Sequence, residues 1–233
     1  MGLLNIGANA KTAKSDSKEV YLSAILYLAP AKTSGYNMCP SATEGCKAAC
    51  LNTAGRGRMN NVQEARIRKT KEFFDNRAKF ISQIYKELQS FEKKCVIINR
   101  KPAVRLNGTS DIFWPSIAPE LIFGFPNIKH YNYTKNKKDM KKYMDGKCPP
   151  NYYLTFSRSE SNWDFCKAVL DEGHTVAAVF DVVPKEYEGY KVVDGDSTDL
   201  RFLDEQGCII GLKAKGKAKR DDFGFVVRNG AKP

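Results

Sequence analysis

Ile128-Lys-His-Tyr-Asn-Tyr133, Tyr152-Tyr-Leu-Thr-Phe156 and Thr175-Val-Ala-Ala-Val-Phe180 are three short apolar runs separated by two stretches of helical character. The first spacer is the Lys-rich patch from Lys135 to Met144. The second is Asn162 to Asp171, which Gly173 terminates. Strands joined by helical crossovers pair in parallel, because the crossover carries the chain back to the end where the previous strand began. The alternation extends both ways. Val20–Leu28 reads as a strand, Asn61 to Glu92 as one long helix or two, Ala103–Leu106 as a strand, and Pro115–Phe123 as holding a short helix. Phe73, Phe74, Ile81, Ile84, Leu88 and Phe91 recur at steps of three and four, which gives that long helix an apolar face. Tyr190–Val193 and Cys208–Leu212 are later strands. Six or more such units predict an α/β chain with mainly parallel strands, arranged as a partial or complete TIM-type (βα) barrel. The expected organisation is a flexible N-terminal arm over residues 1–18 and a single α/β barrel domain over 19–233, with a cysteine loop at 29–58.

Composition narrows the function. The chain has 233 residues, 42% of them hydrophobic, enough for a sizeable core. No run approaches the ~18–20 apolar residues of a membrane span, and the first residues lack the apolar stretch of a signal peptide. A cytoplasmic protein with no membrane partner is expected. Seven cysteines, an odd number, in a reducing compartment read as metal ligands or buried thiols rather than disulfides. The net charge of +12 points to an anionic partner, either nucleic acid or a small anionic ligand. Lys213-Ala-Lys-Gly-Lys-Ala-Lys-Arg220 could meet a phosphate backbone, but few aromatic residues stand near it to stack on bases. Phosphate-binding loops, dinucleotide fingerprints and nucleophile elbows are missing from the sequence.

The densest chemical signal is Cys39-Pro-Ser-Ala-Thr-Glu-Gly-Cys46-Lys-Ala-Ala-Cys50. Three thiols within twelve residues can converge if the loop wraps around a metal, and thiolates are the ligands of iron–sulfur clusters. Gly35, Gly45, Gly55 and Gly57 leave room for tight turns around it. Zinc is the alternative, but only Cys46 and Cys50 have the close spacing of a zinc pair. The remaining cysteines make poor fourth ligands. Cys95, Cys148 and Cys208 precede strands and so belong at the opposite end of the sheet, and Cys166 lies inside a helix. Three cysteines and an open iron on a [4Fe–4S] cluster are the expectation.

In parallel α/β folds the site lies at the carboxyl ends of the strands. The residues expected there are Thr33, Tyr36, Asn107 to Asp111, Thr134, Lys135, Ser157, Arg158, Asp181, Asp194, Asp196, Lys213 and Lys215. Arg56, Arg105, Asn107, Asp111, Arg158 and Lys213 are the candidate ligand-binding residues. Arg105 falls inside a strand and needs a partner, for which Asp111 is the candidate. Arg66, Arg68 and Lys69 stand near the cysteine loop and either hold a phosphate or carboxylate against the cluster or, as the preferred reading, form the solvated start of the long helix.

The segment from Tyr36 to Gly57, with Cys39-Pro, Cys46, Cys50 and the following glycines, resembles the phage "gene product 88" domain. Val104-Arg-Leu-Asn-Gly-Thr-Ser-Asp111-Ile-Phe-Trp114 resembles that family's arginine-to-aspartate segment. The resemblance covers roughly residues 20 to 215. It implies a phage-encoded protein working in the cytoplasm of an infected bacterium, and the family supplies no settled reaction. More widely, the loop is similar to that of radical S-adenosylmethionine enzymes, which carry three cysteines after the first strand of a partial barrel. Their spacing is three then two residues, whereas here it is six then three, and no glycine-glycine-glutamate motif follows the second strand. Both differences count against S-adenosylmethionine as a cofactor. The cluster is expected to do redox or Lewis-acid chemistry. The other readings are electron transfer from a host donor and a metal-stapled nucleic-acid-binding module without catalysis.

Overall fold

The computed structural model describes residues 2–7 and 20–228. Its strands are β1 (Leu4–Ile6), β2 (Tyr21–Leu26), β3 (Lys101–Arg105), β4 (Lys129–Thr134), β5 (Tyr152–Ser157), β6 (Val176–Phe180), β7 (Glu186–Tyr187), β8 (Tyr190–Asp194), β9 (Ile209–Lys213) and β10 (Val226–Val227). They form one sheet in the order β1-β2-β3-β4-β5-β6-β9-β8-β7, with β10 also on β6. From β2 to β8 every neighbouring pair is parallel, as the strand–helix alternation predicts. Antiparallel β1 and β7 finish the two edges.

The complete barrel is not formed. The ladder ends at β1 on one side and β7 on the other. It is also pulled apart in the middle: β5 pairs with β6 only at Val176 and Ala177, and β10 takes the vacated edge at Val179 and Phe180. Leu4–Ile6, expected within a flexible arm, instead pairs with Ala24 to Leu26. The rest of that arm, residues 8–19, lies outside the described residues.

The helices are α1 (Glu44–Ala48), α2 (Asn60–Asp75), α3 (Arg77–Ile97), α4 (Trp114–Ile117), α5 (Glu120–Phe123), α6 (Lys137–Met144) and α7 (Trp163–Asp171). The long helical stretch is thus two helices. They divide at Asn76, whose side chain accepts the Lys79 amide at 3.1 Å and caps α3. Phe80, Ile84, Leu88, Phe91 and Cys95 recur at steps of four, four, three and four and are all buried. Each such side chain contributes about 1.5–3 kcal/mol by leaving water. On α7, Gly173 at φ +81° takes the left-handed conformation that ends the helix.

The strand period of two then sorts the core. Ala24, Leu26, Val104, Leu154, Phe156, Val176, Ala178 and Phe180 share one cluster with Phe73, Ile84, Leu88, Met140, Cys166 and Val169 of the helices. The alternate residues face the other way, away from the long helices. Ala103 and Tyr131 pack with Leu200, and Ala177 with Cys208 and Ile210. Helices on one face exclude a doubly wound sheet. The bare face is covered instead by residues 195–203 between β8 and β9. From there Phe202 sets its ring against Tyr21, Tyr131 and Tyr153, with centroids at 5.0, 5.8 and 5.4 Å.

Candidate functional site

Parallel pairing from β2 to β8 brings the loops after β2, β3, β4, β5, β6 and β9 to a single edge of the sheet, and the cysteine loop is tied down there by its neighbours. The Asp111 amide donates to Met38 O at 2.9 Å, and Thr109 Oγ1 donates to Leu28 O at 2.5 Å. Glu160, just beyond β5, reaches the start of α1. Its two oxygens accept the Gly45 amide and the Thr43 hydroxyl, both at 2.8 Å. A Cβ at position 45 would stand 2.9 Å from that carboxylate, so a larger residue there would push the Glu160 side chain aside. On the far side the Lys217 amide donates to Thr53 Oγ1 at 3.3 Å.

This frame gathers the three cysteines. Burial pushes the Cys39 thiol up to about 11; the Ala31 amide, 3.4 Å from its sulfur, opposes this, while Asp111, Cys50 and Cys46 add to the rise. Burial also raises Cys50. The Asn52 amide opposes the rise, Cys46 adds to it, and Lys135 and Arg66 lower it. The three thiols therefore sit within electrostatic reach of one another. Cys46 and Ala49 of the α1 region pack with Ala214, Ala218, Phe225 and Val226, which seats the loop on the ends of β9 and β10. Among the described residues, no three His, Cys, Asp or Glu side chains are gathered as tightly as a single metal ion requires.

Of the remote cysteines, Cys95, Cys166 and Cys208 are buried and Cys148 is half-buried against the core. Burial raises Cys148 and Cys208 to about 11 and Cys166 to about 12. Cys95 is fully enclosed, packed among the α3 side chains.

The other expected site residues divide. Asp111 belongs to the site: burial raises its pKa, against the opposing pull of the Lys135 amide (2.9 Å from Oδ2) and the Thr134 hydroxyl, and it is felt by Cys39. Arg105 does not pair with Asp111. Its Nη1 lies 3.3 Å from Asp199 Oδ2, beneath residues 195–203 and on the bare face of the sheet. The cause is plain: Asp111 is taken up by the Lys135 amide and the Thr134 hydroxyl, and a partner 94 positions from Arg105 is invisible to local reading. Asn107 is a structural hub rather than a ligand. Its Oδ1 accepts from Ser110 Oγ, the Ile112 amide and Trp114 Nε1 at 3.0, 3.2 and 3.0 Å, and its Nδ2 donates to Ile112 O at 2.7 Å. Arg158 Nη1 clamps the chain entering β10 through Gly224 O and Phe225 O, both at 2.9 Å. Lys213 is exposed, and its amide donates to Asp196 Oδ2 at 2.9 Å. Arg56 is exposed on the short 3₁₀ turn Gly55–Arg58.

Two residues were misjudged in the opposite direction. Arg66 and Lys69 are not a solvated helix start; both are buried on α2. Lys69 Nζ donates to Leu3 O at 2.7 Å and so fastens β1 to the helix. Arg66 lies over the Tyr27 ring, 4.9 Å from its centroid, and donates to Asn52 Oδ1. The signal was present in the spacing. Arg66, Lys69, Thr70 and Phe73 stand at i, i+3, i+4 and i+7, the buried face of α2 continued through polar residues.

No helix among the described residues is long and apolar enough to cross a membrane. No curated protein and no solved structure matches the chain, so the wider resemblance to radical S-adenosylmethionine enzymes rests on the three-cysteine loop alone. A family model does match, and it runs from residue 3 to 229, through the cysteine loop and the covering segment alike: the chain belongs to the gene product 88 family.

Proposed function

We propose that the protein is a phage-encoded iron–sulfur protein of the infected cell, holding a [4Fe–4S] cluster on Cys39, Cys46 and Cys50 with one iron open to a small anionic ligand. The observation that carries this reading is that Cys46 and Cys50 lie within electrostatic reach of Cys39 at the strand ends, while Cys95, Cys166 and Cys208 are buried and Cys148 is half-buried against the core. Thiolates on separate corners of a cluster stand further apart than thiolates on one ion, so a loose triad suits a cluster better than a single zinc. Cations at Arg66 and Lys135 would offset the negative charge of the thiolates. Helices on one face of a parallel sheet give the wall of a partial barrel, with its mouth at the cysteine loop. When bound, the cluster would supply redox or Lewis-acid chemistry, and the chain's own groups would hold the ligand and exclude water.

The test is anaerobic purification with iron, sulfide and zinc measured on one sample. About four irons and four sulfides per chain are expected, and Cys46→Ala abolishes both. A variant that kept its full iron and sulfide would refute the assignment, and one zinc per chain in the parent would replace the cluster with a structural ion.

One observation favours a second reading, a metal-stapled module that binds nucleic acid. The 3₁₀ turns Gly55–Arg58 and Gly216–Arg220 both lie against Leu51–Thr53. This sets exposed Arg56 and Arg58 near exposed Lys217, Lys219 and Arg220. Such binding weakens steeply with salt; DNA and RNA affinities that do not change with salt would remove it.

A further inference from the structure

We propose that the basic turns Gly55–Arg58 and Gly216–Arg220 form one preorganised surface for a single strand of nucleic acid, with Phe223 as the ring on which a base stacks. This rests on the second reading, a module that binds nucleic acid, and names the kind of strand and the residues that hold it.

The two turns begin at one point. A Cβ at Gly216 would stand 3.0 Å from the Cβ of Ala54, the residue just before Gly55. Thr53 pins them together. Its amide and hydroxyl donate to Cys50 O at 2.9 and 2.8 Å, and the hydroxyl oxygen accepts the Lys217 amide at 3.3 Å. Each turn is also held from behind. Gln63 Nε2 donates to Gly57 O, and Arg228 Nη2 donates to Lys219 O and Asp221 O at 3.2 and 2.9 Å. Ala218, in the middle of the basic run, is buried with Ala49 of the cysteine loop. A stretch that reads as a solvated loop is thus a fixed surface, and fixing it beforehand lowers the ordering cost of binding.

Arg56, Arg58, Lys217, Lys219 and Arg220 are all exposed there. The last four take part in no salt bridge among the described residues. Asp221 is turned into its own loop, where Oδ1 accepts the Phe223 amide at 3.4 Å and Oδ2 the Val226 amide at 2.9 Å. Asp222 is the exposed acid of the stretch. At a rise of about 2 Å per residue each turn spans roughly 8–10 Å, which suits a chain of phosphates better than one small ion.

A single strand fits better than a duplex. The cations stand on short 3₁₀ turns, not on a projecting helix or ribbon of the kind that enters a major groove. Of the two phenylalanines after the run, Phe225 is buried and Phe223 is 53% exposed. Arg158 Nη1 holds the next residue through Gly224 O at 2.9 Å, so the ring is carried on a fastened loop. Leu51 and Met59, also exposed, flank the other turn. Cations that track a backbone beside an exposed ring are the means by which unpaired bases are bound, whereas a duplex keeps its bases stacked inside.

The probes are a fluorescent oligothymidylate of about 15 nucleotides, a duplex of the same length, and poly-glutamate. Anisotropy is measured over a salt series, with iron and zinc determined on the same protein. For the single strand, log affinity should fall against log salt with a slope of about −3.5, as five phosphate contacts require. Replacing Lys217, Lys219 and Arg220 together by Ala should make the slope shallower by about 2. Lys86→Ala, Lys93→Ala and Lys94→Ala on exposed positions of α3, the same loss of charge elsewhere, leave it unchanged. Phe223→Ala should weaken binding about fivefold or more with the slope kept. A slope that survives the triple replacement by Ala on the turn puts the contact elsewhere: the nucleic-acid reading then stands and this surface falls. Duplex or poly-glutamate bound as tightly as the single strand, or a Phe223→Ala variant that binds as the parent does, overturns the assignment to a single strand. Failure to bind any oligonucleotide removes the module and the surface together. Binding that persists in protein without metal keeps the surface and removes only the staple.

Discussion

Arg105 and Arg66 are both withdrawn from water, and the fold provides for them in opposite ways. Burial alone would lower the pKa of Arg105, but Asp199, with Tyr133 and Tyr131, more than offsets this and holds it above the usual arginine range. Its Nη1 meets both Asp199 oxygens at 3.3 and 3.4 Å, Nε donates to Asn107 O at 3.0 Å, and its Cζ lies 4.6 Å from the centroid of the Tyr133 ring. Asp199 in turn accepts the Tyr131 hydroxyl at 3.1 Å. Arg66 has a ring beneath it and one amide oxygen, with no carboxylate opposing its loss of charge and Nε unmet. A buried charge with its counter-charge built in is architecture: it locks residues 195–203 onto the bare face of the sheet. A buried charge left short of partners, next to a thiol cluster, is where a site is to be sought.

Removing the built-in partner is the harshest way to break this contrast. Asp199→Ala strands Arg105 in the interior and frees the Tyr131 hydroxyl as well, and a loss of about 3–5 kcal/mol is expected. Urea midpoints of parent and variant read it directly. A loss under about 1 kcal/mol, the scale of an exposed pair, would mean that the covering segment is held by Leu200 and Phe202 rather than by the ion pair.

The next effect concerns a buried group with no partner at all. His130 stands on β4, in register with Val104 on one side and Tyr152 on the other, at 0% exposure, and neither ring nitrogen has a partner. Burial lowers its pKa to about 3. Between that value and the unfolded one of about 6.5, the unfolded chain binds a proton that the folded chain refuses. Stability therefore rises with pH through this window and is lost as pH falls across it. At about pH 4.5 the cost is ~2–3 kcal/mol relative to neutral pH. His130→Leu should flatten that part of the acid limb, compared with the parent by urea midpoint at both pH values. Parallel limbs would show that the imidazole finds a proton acceptor once charged.

How much of this could be read in advance followed the range of the interaction. Strand and helix periods are local, so β2 to β6, β8 and β9 and the helices between them were legible, and with them the edge where the cysteine loop had to lie. Closure is not local. Whether β8 returns to β2 depends on sheet curvature, and here β10, a two-residue strand, fills the gap where β5 and β6 part. No period marks a strand that short. The place of the cysteine loop was legible because it follows β2 directly. The burial of Arg66 and Lys69 was harder to see, because polarity points outward at positions whose spacing places them inward. Asp199 was out of reach for a further reason, since it lies 94 residues from its partner in a segment whose regular structure is a single 3₁₀ turn, Arg201–Leu203.

The smallest expected effect sharpens the contrast most. If Arg66 were architecture like Arg105, replacing it would cost several kcal/mol. As a charge with no counter-charge it contributes little: Arg66→Met keeps an apolar stem against Tyr27 and removes the burden of desolvating a guanidinium. Asn52 keeps its own donation to Gln63 Oε1 at 2.7 Å. The stability change should therefore stay within about 1 kcal/mol, in either direction. The measurement is the same urea midpoint used for Asp199→Ala. A loss comparable to that variant would show that Arg66 holds the 3₁₀ turns in place through Asn52, and its unmet Nε would no longer distinguish a site from a strut. A neutral result leaves a buried cation that the fold does not need for its stability.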